Sequence, residues 1–112
     1  MDETEQERLN SDHAPCELCN RITPVFTDHH LIPRATHNKR VKRKYQEECK
    51  TRKAMLCVAC HRQIHYLFSN KQLEKGFNSL ESLRANPDIQ TYVSWIMNKP
   101  NEFLPTKGKR KH

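Results

Sequence analysis

A chain of 112 residues is long enough for one domain and too short for two. With 35% hydrophobic and 29% charged residues, and a mean hydropathy of −0.97, an apolar core alone would be thin, so reinforcement by the cysteines is expected. A net charge of +7 and a pI near 9.3 favour a polyanionic partner, a nucleic acid or an anionic surface, over an acidic small molecule.

No apolar run approaches the roughly 20 residues of a spanning helix, and Met1-Asp2-Glu3-Thr4-Glu5 is acidic where a secretory signal is basic and then apolar. The expectation is an intracellular protein, cytoplasmic or nuclear, with no membrane contact. In that setting five cysteines read as reduced thiols or metal ligands rather than a disulfide framework.

Residues 1–14 are polar and without apolar periodicity, which predicts a disordered acidic leader, and His13 within it reads as a solvent-facing side chain. Cys16-Glu17-Leu18-Cys19-Asn20 has the form of a knuckle. A tight turn there points two sulfurs at one ion, and Asn20 suits a left-handed backbone position. The β-branched and aromatic stretch from Val25 to Ile32, ended by Pro33, predicts a strand with Asp28, His29 and His30 near its end.

Residues 34–53 carry nine basic side chains (Arg34, Lys39, Arg40, Lys42, Arg43, Lys44, Lys50, Arg52, Lys53) against Glu47 and Glu48. They read as a long basic loop. Ala54, Met55 and Leu56 can pair with the first strand, and Cys57-Val58-Ala59-Cys60 leads into a helical segment through Ser69. Beyond it, Asn78 with Glu81 predicts a capping box, and Asn86-Pro87-Asp88 predicts a second helix start. Ile89, Tyr92, Val93 and Ile96 form one apolar face ended by Asn98 and Pro100, so Tyr92 and Trp95 read as packing residues. Lys107 to Lys111 belong to a basic, disordered tail over 101–112.

Two constellations carry chemistry. The pairs Cys16/Cys19 and Cys57/Cys60 supply the four thiolates of a closed structural zinc site, whose binding energy is folding energy for a small core. Cys49 lies outside both pairs and reads as a bystander thiol. The second constellation is His29 and His30 on the strand with His61 and His65 on the helix. Residues four apart share a helix face, so His61 and His65 can reach one ion together with a strand histidine, leaving the other imidazole as a base. Seven histidines is a high count, and four of them fall on the segments that the cysteine staple would join.

Cys-x-x-Cys, then His-His-Leu-Ile-Pro-Arg, then Leu-Cys-x-x-Cys-His-x-x-x-His resembles the HNH endonuclease family, in the subgroup with a four-cysteine zinc, over residues 16–68. The resemblance implies an α+β fold: a small zinc-stapled, treble-clef-like ββα-metal core at about 16–69. It would be followed by a helical extension at about 70–99, within a single domain at 15–100. It also implies a metal-dependent phosphodiester hydrolase, with DNA as the expected substrate. His30 would be the general base, and His29, His61 and His65 would hold one divalent metal (Mn²⁺, Mg²⁺, Ni²⁺, Co²⁺ or Zn²⁺). Arg34, Lys39, Arg40, Lys42, Arg43 and Lys44 would hold the nucleic-acid backbone.

The register has an alternative, with Asp28 as the ligand and His29 as the base. The position of the family's middle asparagine falls at Thr51 or Arg52, so its orienting role is unassigned. The rival readings are a noncatalytic zinc module that binds nucleic acid and a protein-interaction zinc finger. Neither requires the four histidines.

Overall fold

The computed structural model describes residues 7–105, except for the side chains of residues 49 and 50. The expectations for the first six residues, the Cys49 thiol and the Lys107–Lys111 tail therefore lie outside the described residues.

Three segments form one antiparallel sheet in the order β1 (Arg8–Leu9), β2 (Val25–His30), β3 (Lys53–Cys57). The register of β2 on β3 runs from Phe26 opposite Cys57 to His30 opposite Lys53. Side chains alternate across a pleated strand, so Thr27 and His29 are buried on one face while Asp28 and His30 are half-buried on the other.

Residues 8–10 depart from the expected leader: Arg8 and Leu9 pair with Phe26 and Val25. A two-residue edge strand leaves no periodicity to read. One side chain fixes it, because Asn10 Nδ2 donates to the Ala14 and Thr23 carbonyls, both at 2.8 Å, and Asn10 Oδ1 accepts from Ala14 N at 2.9 Å.

The basic excursion between β2 and β3 is helical rather than a loop. A 3-10 turn (Arg34–Thr36) leads into α1 (Lys39–Tyr45) and α2 (Glu48–Thr51). Asn38 caps α1 by accepting from Val41 N at 2.9 Å, and fully buried Val41 packs with Ile32 and Tyr45. One apolar anchor in a run of cations gives no amphipathic stripe, which is why the sequence reads as a loop.

The helix α3 (Val58–Leu67) follows β3 directly. It starts at Cys57, whose sulfur accepts from Cys60 N, and buries Ala59, Cys60, His61, Ile64 and His65. Ser69 and Gln72 form a capping box for α4 (Asn70–Gly76). The next box is Ser79 with Ser82, opening α5 (Leu80–Ala85), one residue later than Asn78 with Glu81. Asn78 is otherwise engaged: its Nδ2 donates to Glu74 O at 2.8 Å, and its carbonyls accept from Arg52.

Asn86 caps α6 (Pro87–Ile96) with Pro87 in the first turn. Ile89 and Ile96 are buried in the main core with Leu56, Ile64, Leu73 and Leu83, and Tyr92 and Val93 pack against it. Trp95 contacts the Tyr92 and Phe103 rings while remaining exposed. Among the described residues no helix is long and apolar enough to cross a membrane.

Candidate metal centres

The knuckle between β1 and β2 brings Cys16 and Cys19 to the β3–α3 junction, where Cys57 ends the strand and Cys60 lies in the first helical turn. All four sulfurs lie within 4.8 Å of one another and all four side chains are buried. The Cys19 and Cys57 sulfurs are 3.7 Å apart. Zinc–sulfur bonds of about 2.3 Å in a tetrahedron give sulfur–sulfur edges of about 3.8 Å. The cage therefore has the size of the ion.

Knuckle geometry supports it as expected. Asn20 takes φ 67°, and Leu18 N and Cys60 N each donate to a cysteine sulfur at 3.4 Å. Hydrogen bonds from Cys16, Cys57 and Cys60 pull the Cys19 thiol well down, while hydrogen bonds to Cys16, Cys19 and Cys57 push Cys60 up. A cation bound by four thiolates removes that opposition.

Arg21 was not singled out by the sequence, yet it is 4% exposed. Its Nη2 donates to Cys57 Sγ at 3.7 Å, and its Nη1 donates to the Pro100 and Phe103 carbonyls at 2.7 and 3.0 Å. A buried guanidinium needs negative charge nearby, and four thiolates around one divalent ion leave a net −2. The only hint in the sequence is its place two residues after Cys19.

The second cluster lies one turn further along α3. His29, His61 and His65 are buried with their ring nitrogens within 4.8 Å of one another. Their ring centroids are 4.9 to 5.3 Å apart. Three imidazoles on one tetrahedral ion with bonds of 2.0–2.1 Å would have centroids about 5 Å apart. Both nitrogens of His29 and Nε2 of His61 are buried without a hydrogen-bond partner, and a metal would satisfy one nitrogen of His29 together with Nε2 of His61.

Burial, then the charges of His61, His65 and His30, holds His29 well below the usual imidazole range. Burial, then His65 and His30, lowers His61 to about 3. Neutral imidazole is the ligand form, so both rings are ready to bind. Thr27, on the same face of β2 as His29, places its hydroxyl 2.7 Å from His61 Nδ1. This contact was also absent from the sequence reading.

His30 ends β2 beside the triad. Asp28 is not in it: its carboxylate pairs with Arg8 at 2.9 Å. Arg34, Lys39, Lys42, Arg43 and Lys44 are exposed around α1. Arg40 differs from them, since its Nη2 meets the buried Glu74 carboxylate at 3.0 Å. Arg52 bonds Asn78 and pairs with Glu48, and Thr51 Oγ1 donates to Glu47 O at 3.2 Å.

The chain has a relative among known proteins. It is 38% identical over 91 residues to the uncharacterized protein YisB of Bacillus subtilis (strain 168), spanning 80% of this chain and 79% of YisB. The chain belongs to the YisB family. No family model matches it, and no solved structure matches it. Within that family, this chain has an α+β fold with a buried four-cysteine cluster suited to structural zinc and a buried histidine triad that could hold a second metal.

Proposed function

We propose that the protein is a metal-dependent endonuclease of the HNH kind, with β2, β3 and α3 as its ββα-metal core. The observation that carries this reading is the buried triad His29, His61 and His65 with His30 adjacent on the same strand. A structural zinc module would need only the cysteines. The triad gives a second ion a place, and His30, outside the ligand set on the neighbouring position of β2, is the imidazole left for the role of base.

In this reading His29, His61 and His65 would hold the ion. Three imidazoles, with no carboxylate joining the cluster among the described residues, suit Mn²⁺, Co²⁺, Ni²⁺ or Zn²⁺ better than Mg²⁺. The ion would supply positive charge where the phosphate and the departing 3′ oxygen become negative. His30 accepts a proton from the attacking water, which leaves 5′-phosphate and 3′-hydroxyl ends. The exposed cations around α1 hold the nucleic-acid backbone without reading bases.

The test is nicking of supercoiled plasmid with Mn²⁺ or Mg²⁺, by wild type and His30→Ala. Cleavage by wild type that His30→Ala loses supports the proposal. Salt-sensitive binding without cleavage under any of these metals would favour the noncatalytic nucleic-acid-binding module.

A further inference from the structure

A histidine that binds a metal through one ring nitrogen carries its proton on the other, and the partner of that proton sets the ring's tautomer and aim. In the triad, His61 has a candidate for that partner at short range. Thr27 is 3% exposed, and its Oγ1 lies 2.7 Å from His61 Nδ1. The same hydroxyl has the Leu56 carbonyl as an acceptor at 3.4 Å. A carbonyl can only accept, so a hydroxyl that donates to Leu56 offers its lone pairs to His61.

The polarity then runs one way, from His61 Nδ1–H to Thr27 Oγ1 and from Thr27 O–H to Leu56 O. Nε2 of His61, buried without a hydrogen-bond partner, is left with its lone pair in the triad. The cross-strand pairing of Thr27 with Leu56 holds the relay in place, since both backbones belong to the sheet.

We propose that Thr27 is a positioning residue for the histidine-bound metal: its hydroxyl holds His61 as the Nδ1–H tautomer with Nε2 turned toward the ion. The inference rests on reading the triad as a metal site. It goes beyond that reading by assigning a polar residue that contacts neither the ion nor the nucleic acid.

The experiment uses the full chain with zinc retained on the cysteines. Co²⁺ is titrated into wild type, Thr27→Val and Thr27→Ser by calorimetry and by its visible absorption. Thr27→Val preserves shape and removes the hydroxyl, so its Co²⁺ affinity should fall about 10- to 100-fold, and Thr27→Ser should restore most of it. Side-chain ¹⁵N spectra of metal-free wild type should show the His61 proton on Nδ1, and Thr27→Val should mix the tautomers. A purely packing role for Thr27 would leave the tautomer of His61 unchanged.

Wild-type Co²⁺ affinity in a folded Thr27→Val would overturn the proposal. If Thr27→Val does not fold, the wild-type spectrum decides, and a proton on Nε2 overturns it. Failure of wild type itself to bind Co²⁺ outside the cysteine site would instead refute the triad as a metal site, and with it the purpose assigned to Thr27.

Discussion

Replacing Cys16 with Ser removes one corner of a cage that joins the knuckle to the β3–α3 junction. Around it lie the buried sulfurs of Cys19, Cys57 and Cys60 and the buried guanidinium of Arg21. A structural zinc contributes about 10–16 kcal/mol in small domains, against a net stability of about 5–15 kcal/mol for a folded protein. A chain with 35% hydrophobic residues has little core in reserve. Even a loss of about 3 kcal/mol lowers the melting temperature of a domain near this size by about 12–24 °C. Cys16→Ser and Cys60→Ser should therefore lose the cooperative transition at 37 °C, or melt at least that much lower, and should release zinc to a chromogenic chelator. Cys49→Ser should melt as wild type does. Circular dichroism melts paired with zinc quantification read this directly. Equal transitions for all these variants, or unchanged melting after full zinc removal, would refute the cage as a folding element.

The basic residues should divide by their partners. Arg40→Ala leaves the buried Glu74 carboxylate without its cation and should cost about 1–3 kcal/mol in urea unfolding, with little change in DNA affinity; the opposite pattern would place Arg40 on the nucleic acid. Charge reversal at Lys42, Arg43 and Lys44 should leave stability nearly unchanged. It should flatten a salt dependence whose log-log slope, for about six phosphates, is roughly −5; binding that ignores salt in wild type would remove α1 from the interface. In metal-free triad, His61 stays neutral in the fold but takes up a proton when unfolded. Its contribution is then complete above about pH 6.5 and falls as pH drops toward its folded value of about 3, by about 2 kcal/mol at pH 5. Urea midpoints between pH 5.5 and 7 should fall with acid in wild type and less steeply in His61→Asn; parallel slopes would contradict a buried neutral ring.

The chemistry was more legible in the sequence than the scaffold that arranges it. Paired cysteines and the i, i+4 histidines announce themselves through residue type and spacing, and the structure brings Cys16, Cys19, Cys57 and Cys60 together, and His29, His61 and His65 together. The Asn86-Pro87 helix start was equally plain, because cap and proline act locally. The misses depend on contacts distant in sequence. Helix α1 is held by one buried valine against Ile32, and β1 exists because Asn10 bonds a carbonyl 13 residues on. Arg21 and Thr27 were hidden for the same reason. Each is an ordinary residue whose importance comes from the sulfur or ring nitrogen that folding places beside it.

The central claim is that adjacent histidines on β2 divide the work, with His29 holding the ion and His30 moving the proton. Metal titration and plasmid cleavage on the same preparations of wild type, His29→Ala and His30→Ala, with the cysteine zinc retained, test it most directly. The account predicts that His30→Ala binds Mn²⁺ or Co²⁺ as wild type does while cleaving about 10²- to 10⁴-fold more slowly, and that His29→Ala loses metal affinity. Loss of metal by His30→Ala, with normal binding and slowed cleavage by His29→Ala, would contradict it and exchange the two roles.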